Sequence, residues 1–343
     1  MFSTLPKVHT QFQSWTWEQF KPYADDLVKR EVNASSVIAW LTDWSDLSRI
    51  LSEIYQRLYV AITVDTTDPD SKARYNTFLD DIYPQAQIVH QQCKEKLLAS
   101  GLEPEGMRIP LMHMRAEAEV YREANLPLLA EEFKLSSEYD ELIGAQTVTF
   151  DGKELTVTQL QPYYFHPDRA VREQAWRLGV ERQLADREKI NDLWKRFMQV
   201  RGQIAANAGL PDYRAYIWKT LHRYDYTPQD CFSFHAAIEQ EVVPVMRRIC
   251  ERHRQQLGLD SLRPWDKDVD PLGRDPLKPY QTIEELEAKA SAIFHKVDPQ
   301  LGSYFDQMRG QGLLDLANRK GKAPGAYCTG YDMTRLPFIF ENA

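Results

Sequence analysis

The stretch from Arg319 to Ala343, RKGKAPGAYCTGYDMTRLPFIFENA, predicts how this chain of 343 residues completes its fold. It begins as a basic loop interrupted by glycines and continues into short segments of β character. It ends on the run Phe338-Ile339-Phe340, followed by Glu-Asn-Ala. Aromatic and β-branched residues in such a run favour burial in a sheet. Because nothing in the sequence follows to cover the run, we expect these side chains to be exposed. We interpret the sequence as truncated just before its catalytic residues.

The middle of this stretch is a candidate surface for binding an extended backbone. Gly325 permits close approach of another chain. A strand through Ala326, Tyr327 and Cys328 is expected either to present an exposed edge or to lie inside a sheet. An exposed edge could add a peptide through main-chain hydrogen bonds without reading its sequence.

Two basic residues precede the candidate strand. Lys322 and Arg319 either pair with Asp315 and hold the loop, or bind a peptide carboxylate, and the sequence does not choose between these roles. The predicted substrate-binding residues are therefore Lys322, Gly325, Ala326 and Tyr327.

Composition limits the class of protein. Hydrophobic residues make up 43% and charged residues 27% of the chain, as in ordinary soluble proteins. The net charge of −8 argues against broad binding to nucleic acid or anionic membranes. No apolar run approaches the roughly 20 residues that span a bilayer, and the first residues lack a secretory signal pattern. We expect a cytoplasmic protein that binds neither nucleic acid nor membrane.

The cysteines support the same location. Cys93, Cys231, Cys250 and Cys328 lie far apart and form no Cys-x-x-Cys motif. This spacing is typical of reduced, mostly buried thiols rather than of a disulfide framework.

Helical periodicity dominates the first 140 residues. From Asn33, apolar residues recur at three- and four-residue steps as far as Leu58, and we expect their Trp and Tyr members to pack in a core rather than to form a ligand platform. A second helix is predicted over residues 71–99, bent near Pro84, and a third begins near Pro110 and is interrupted at 125–127.

A β-hairpin and further helices follow. Residues 147–157 alternate around Asp151-Gly152, the dipeptide that suits a two-residue turn. The longest helix is predicted from Pro167 to Ala208, about 60 Å at 1.5 Å per residue. The next is predicted from the cap at Thr227 to Leu257 with a kink at Pro244, before an ordered loop over 261–280 and two shorter helices.

The resulting fold class is mainly α: an elongated, multi-lobe body of long helices with a β-hairpin and a small β-sheet near the C-terminus. The predicted domains are a helical N-terminal lobe over 1–140, a hairpin connection over 141–165 and a larger domain over 166–343.

The sequence contains no recognisable catalytic motif. No histidine is followed by glutamate, so a His-Glu-x-x-His zinc site cannot form. The pairs His113/Glu117 and His235/Glu239 have metal-ligand spacing, but they are more typical of surface contacts. No Gly-x-Ser-x-Gly elbow and no P-loop occur. Cys328 is interpreted as a buried structural thiol because no histidine partner is fixed beside it.

Several motifs nevertheless resemble one family. They are FHPDR at 165–169, RExAW at 172–176, RYDY at 223–226, RPWD at 263–266, DLxxRKxK at 315–322 and the terminal LPFIFENA. Together they resemble oligoendopeptidase F, among the thimet-oligopeptidase-like zinc metallopeptidases, over nearly the whole chain. In that family a His-Glu-x-x-His helix follows within about a dozen residues, and this sequence stops before it.

The resemblance implies that this chain is the N-terminal portion of a zinc-dependent oligoendopeptidase that cleaves short peptides. Zn²⁺, its ligands and the general base would belong to the intact family protein, so no catalytic or metal residue is predicted here, and the chain alone is expected to be inactive. Its expected partners are short peptides and its own C-terminal half. The alternative is a non-enzymatic helical scaffold, derived from the same fold, that binds peptides or a protein.

Overall fold

The computed structural model describes residues 2–343 and is mainly helical, as the sequence predicts. The helices of the first 144 residues form one layered lobe. In chain order they are α1 (Trp17–Lys29), α2 (Val37–Val64), α3 (Pro69–Thr77), α4 (Tyr83–Ser100), α5 (Arg108–Val120) and α6 (Leu126–Gly144).

The core of this lobe lies where α2 crosses its neighbours. Trp40 and Trp44, predicted as core residues, are buried there with Phe20 and Leu97. The indole Nε1 of Trp40 donates to the carbonyl oxygen of Leu27 at 2.9 Å, so its one polar atom is satisfied inside the core.

The predicted bend near Pro84 is a π-helical turn over Phe78–Ile82, directly before α4. Proline lacks an N–H and its ring clashes with the carbonyl four residues earlier, so the helix widens at that point. The same arrangement recurs later, where a π turn over Ile238–Val242 precedes Pro244.

The predicted hairpin is confirmed as β1 (Thr147–Phe150) and β2 (Lys153–Thr156), paired antiparallel. Its turn residues Asp151 and Gly152 have φ of 50° and 73°, the positive values that the Asp-Gly pair supplies. Val148 and Phe150 pack on the following helix, which gives the isolated hairpin its support.

The predicted helix from 167 to 208 is not continuous. It divides into α7 (Arg169–Ala185) and α8 (Arg187–Asn207) at Asp186, whose ψ of 7° departs from helical values. Asp186 is buried, accepts a hydrogen bond from Gln146 Nε2 at 3.1 Å and pairs with Arg182. A tertiary contact therefore holds the break, and helical periodicity alone gave no sign of it.

The rest of the chain adds shorter helices and the terminal sheet. In order these are α9 (Tyr213–Thr220), α10 (Pro228–Ala237), α11 (Val243–Gln256), α12 (Ile283–Val297), α13 (Pro299–Gly310), β3 (Leu314–Asp315), β4 (Tyr327–Tyr331) and β5 (Leu336–Phe340). Thr227, Thr282 and Asp298 cap α10, α12 and α13. None of the helices in residues 2–343 combines the length and apolar character that a membrane crossing needs.

Candidate peptide-binding edge

The terminal stretch supplies two strands of a three-stranded sheet, and β3 precedes the stretch; the strand order is β3-β5-β4. The last strand, β5, is central: it pairs parallel with β3 and antiparallel with β4. The expectation of an open apolar end is therefore wrong for this strand. Phe340 is fully buried and Phe338 is 6% exposed, because the sheet on both sides and α13 cover them.

Within residues 2–343, strand β4 lies at an edge of this sheet, as the first of the two alternatives expects. Its two faces differ. Tyr327 and Thr329 face α2: the Tyr327 and Thr63 hydroxyls are 2.5 Å apart, and Thr329 Oγ1 donates to Gln56 Oε1 at 2.7 Å. Burial raises the pKa of Tyr327, so the hydroxyl stays protonated at neutral pH. Cys328 and Gly330, which alternate with these residues, are exposed.

The interpretation of Cys328 as a buried thiol is therefore wrong. Cys328 is an exposed free thiol rather than a buried structural one, because strand alternation turns it away from α2. The broader expectation of mostly buried thiols is also wrong: Cys93 is buried, Cys231 is half-buried, and Cys250 is exposed. All four are free.

The turn between β4 and β5 is held by a buried carboxylate that the sequence did not single out. Glu53 of α2 accepts from the backbone N–H of Met333 at 2.6 Å and of Thr334 at 3.0 Å, and from the Thr334 hydroxyl at 2.8 Å. Arg57, one turn later, pairs with Glu53 at 2.8 Å. Burial by itself raises the pKa of Glu53, but these hydrogen bonds outweigh burial and hold the pKa below its ordinary value. One sequence signal could have identified Glu53: it is a glutamate among the regularly spaced apolar residues of α2, and Arg57 follows it four residues later.

The loop before β4 is fixed by Lys322, one of the predicted site residues. Its side chain is fully buried, and its ammonium donates to the carbonyl oxygens of Asp315, Ala317 and Glu341 at 3.0, 2.9 and 2.6 Å. It also lies 3.1 Å from the Asp315 carboxylate. An ammonium has three donors, so these contacts occupy it. Of the two roles considered for Lys322, the structure contains the pairing with Asp315.

Arg319 joins the same cluster. It contacts both oxygens of Asp315, at 2.7 and 2.8 Å, and donates to the carbonyl oxygen of Val64 at 2.7 Å. Burial alone raises the pKa of Asp315, but hydrogen bonds from Arg319 and Lys322 lower it overall. The cluster ties the loop to both the sheet and α2.

The other predicted site residues lie together at the start of β4. Gly325 and Ala326 are exposed, Gly325 has a φ of 84°, and Tyr327 is half-buried against Phe340. The Gly325 carbonyl accepts a hydrogen bond from Asn342 Nδ2 at 2.7 Å. The arrangement places an exposed glycine, a small residue and an aromatic ring in sequence along an accessible strand edge. Their role in binding a substrate stays a prediction.

The two His/Glu pairs have different surroundings. Glu117 is occupied by Lys94 at 2.6 Å and by His222 at 3.0 Å, and His113 stacks on His222 with ring centroids 3.9 Å apart. Glu239 lies in the second π turn and is exposed. Across residues 2–343, no three His, Cys, Asp or Glu side chains are grouped so that they could hold a metal ion.

A second buried cluster joins three of the sequence motifs. Asp266 accepts from Arg169 Nε and Nη2, both at 2.9 Å, and from Arg172 Nη2 at 3.1 Å. Arg172 also donates to the carbonyl oxygen of Trp265 at 3.0 Å. Arg172 is 3% exposed, which is rare for an arginine unless its guanidinium is paired. The cluster anchors the proline-rich loop of 261–280 to the start of α7.

Family models match most of this structure. The model for peptidase family M3 matches residues 163–343, more than half of the chain, and the model for the peptidase M3 N-terminal domain matches residues 9–106. The chain therefore belongs to peptidase family M3. No curated protein matches it.

Solved structures agree on the fold. PZ peptidase A, in a complex with an inhibitor, is 25% identical with a TM-score of 0.89 over 100% of this chain and 61% of its own. A protein assigned as oligoendopeptidase F is 25% identical with a TM-score of 0.87, over 100% of this chain and 60% of its own. A third, from Bacillus anthracis str. Ames, is 22% identical with a TM-score of 0.87, over 96% of this chain and 61% of its own, and shows the fold alone. This chain thus spans about 60% of the length of the structures it matches.

Proposed function

We propose that this chain is the N-terminal portion of a zinc-dependent oligoendopeptidase that hydrolyses peptide bonds in short peptides. It supplies the N-terminal lobe, the long helices and one wall of the substrate cleft. The observation that carries the proposal is the accessible edge of β4 in a chain of family M3. An edge strand binds any extended backbone through main-chain hydrogen bonds, which suits an enzyme acting on many peptides.

In this proposal a substrate pairs with β4 beside Gly325, Ala326 and Tyr327. Gly325 leaves room for the incoming backbone, and the ring of Tyr327 forms the floor beneath it. Lys322 acts from below by holding the loop in place. The alternation of β4 then leaves Cys328 and Gly330 beside the bound peptide.

The residues of this chain do not fit a zinc site, since the sequence contains no His-Glu-x-x-His and the described residues provide no cluster of three metal-binding side chains. The zinc ligands and the general base of the proposed enzyme belong to a C-terminal half outside this sequence. We therefore expect the 343 residues alone to lack peptidase activity. The free thiols support a cytoplasmic location.

An unpartnered apolar surface supports a missing C-terminal half. Helices α10, α11 and α12 contain no buried residue, although they carry large apolar side chains. We call these side chains together the α10–α12 face and define it by Phe232, Phe234, Met246, Ile293 and Val297, which are 50 to 72% exposed. Large apolar side chains exposed on three successive helices favour a covering partner.

The test is complementation. The 343-residue chain is assayed on an internally quenched peptide with Zn²⁺, alone and with a separately produced C-terminal half, such as the remaining two fifths of PZ peptidase A. We expect no zinc-dependent turnover from the chain alone and turnover from the mixture, abolished by a chelator. Full zinc-dependent activity of the chain alone would contradict the proposal.

One observation favours the alternative of a non-enzymatic peptide-binding scaffold: the terminal strand β5 is already covered. The intact mass of the protein purified from its source separates the two. A mass near the 40.0 kDa of this sequence favours a scaffold or a two-chain enzyme, and a much larger mass favours the peptidase in one chain.

A further inference from the structure

A cavity of about 640 Å³ lies in the N-terminal lobe, between the segment of residues 9–17, α2 and the α3–α4 region. Its volume falls within the range of small-molecule sites, about 300 to 1,000 Å³. Apolar side chains form much of its wall, among them Trp15, Trp17, Leu58 and Phe78.

Two arginines line the same cavity with donors to spare. Arg57 uses Nε and Nη2 on Glu53 and Thr334, and its Nη1 has no partner among the described residues. Arg74 donates to Ser71 Oγ at 3.0 Å and forms no ion pair with any described carboxylate. A guanidinium has five N–H donors, so both side chains can still bind an anion.

The remaining titratable groups of the lining are His9 and Asp81. Burial, and then the charge of Arg57, lower the pKa of His9, so its imidazole is neutral at pH 7. Asp81 adds one negative charge beside Phe78 and Ile82. Glu53 already balances Arg57, whereas Arg74 forms no ion pair within residues 2–343. The Asp68 carboxylate nevertheless lies close enough to interact with Arg74, and Asp81 lines the same cavity. Arg74 is therefore the cation with the most capacity for a ligand anion.

We propose that this cavity binds the C-terminal residue of a peptide, with its large apolar side chain against the tryptophans and Phe78 and its α-carboxylate on Arg74 and Arg57. Planar guanidinium groups bind carboxylates through paired, charge-assisted hydrogen bonds. An aromatic and aliphatic wall beside them selects an apolar residue at that end.

The position of Arg57 connects the cavity to β4. Its Nη2 donates to Thr334 Oγ1 at 3.0 Å, and its guanidinium lies 4.0 Å from the ring centre of Tyr331, the last residue of β4. The cavity therefore adjoins the end of the strand edge proposed for substrate. The inference rests on the proposed function for the source of the ligand, a peptide, but not for the binding itself.

The experiment is calorimetric titration of the 343-residue chain at pH 7 with N-acetyl-Leu-Phe as the free acid, the same peptide as the C-terminal amide, and laurate. We expect the acid to bind about ten-fold or more tightly than the amide, because a hydrogen-bonded charge is lost in the amide. Equal affinity for acid and amide, no binding of the acid at millimolar concentration, or tighter binding of laurate would each overturn the proposal.

Variants locate the site. Arg74→Ala should reduce binding of the acid to the level of the amide, and Arg74→Lys should restore part of it. Ala73→Trp, on the cavity wall, should abolish binding of both peptides. Arg49→Ala is the matched control, because Arg49 lies on α2 in an exposed pair with Asp46 and outside the cavity. Unchanged binding in the Ala73→Trp variant would place the ligand elsewhere.

The titration needs no catalysis. Failure of the complementation assay with intact binding of the acid would remove the proposed function and leave the cavity inference standing. Successful complementation with equal binding of acid and amide would support the proposed function and overturn the cavity inference.

Discussion

Lys322 shows at the scale of one residue how a basic side chain is used for structure. Its buried ammonium is surrounded by the carbonyl oxygens of Asp315, Ala317 and Glu341 and by the Asp315 carboxylate. Replacing it with Met leaves these groups desolvated without a donor. We expect Lys322→Met to lower the free energy of unfolding by about 3 to 5 kcal/mol, measured by urea denaturation.

The neighbouring Lys320 provides the control. It forms an exposed pair with Glu154 at 2.8 Å. Exposed ion pairs contribute about 0 to 1 kcal/mol, so Lys320→Met should change stability little. Equal effects of the two substitutions would mean that burial of Lys322 has no energetic consequence.

Asp266 predicts a pH dependence of stability. Burial alone raises its pKa, but hydrogen bonds from Arg169, Arg263 and Arg172 outweigh burial and lower it overall. The unfolded chain then binds more protons than the folded chain at acid pH, so this contribution to stability is complete above an unfolded pKa of about 4 and is lost as pH falls below it. We expect the melting temperature to fall with decreasing pH in that window.

Asp266→Asn tests this assignment. It leaves the buried guanidinium of Arg172 without its counter-charge, so unfolding at pH 7 should cost about 3 to 5 kcal/mol less. The decrease in stability below pH 4 should also be shallower than in the original protein. Asp225→Asn, at an exposed position, is the control and should change neither quantity. An acid slope identical in all three proteins would assign the pH dependence to other carboxylates.

At the scale of elements, the hairpin turn gives a direct comparison of two glycines. Gly152 has a φ of 73° with open space where a Cβ would lie, whereas Gly202 lies within α8, also in open space. Gly152→Ala should destabilise the protein by about 1 to 2 kcal/mol through backbone strain alone. Gly202→Ala should stabilise it by about 0.5 to 1 kcal/mol, because alanine loses less entropy in a helix. Thermal unfolding of both variants checks the opposite signs.

The helices also show which irregularities can be predicted from local sequence. Pro84 and Pro244 marked both π turns, because the missing N–H and the ring clash act within one helical turn. The break between α7 and α8 at Asp186 has no proline beside it that could have predicted it. It depends on Gln146, forty residues earlier, which lies directly before the hairpin that packs on α7.

At the scale of the whole molecule, the α10–α12 face should bind a hydrophobic dye. Replacing Phe234, Met246 and Val297 together by Ser should reduce dye fluorescence severalfold in the folded chain. Because these side chains are exposed, the free energy of unfolding, measured by urea denaturation, should change by no more than about 0.5 kcal/mol for each substitution. A large loss of stability would show that the residues already belong to a core.

A substitution in the buried core is the control for the dye-binding prediction. Ile50, Leu79 and Leu97 are fully buried in the N-terminal lobe. Leu97→Ala alone should cost about 2 to 5 kcal/mol and should not lower dye binding by the folded protein.

The sequence by itself determined the helical class, the hairpin turn, the Thr227 cap and the family motifs, because each depends on residues within a turn or two of one another. It also identified the terminal stretch as the candidate site. Only the tertiary structure decided that β5 is central and covered, that β4 is the edge, that Cys328 is exposed and that Lys322 is buried. Each of these depends on the pairing of segments distant in the chain, with β4 lying on α2, some 270 residues earlier. Periodicity shows that a segment is half-buried, but it does not show which segment will cover it.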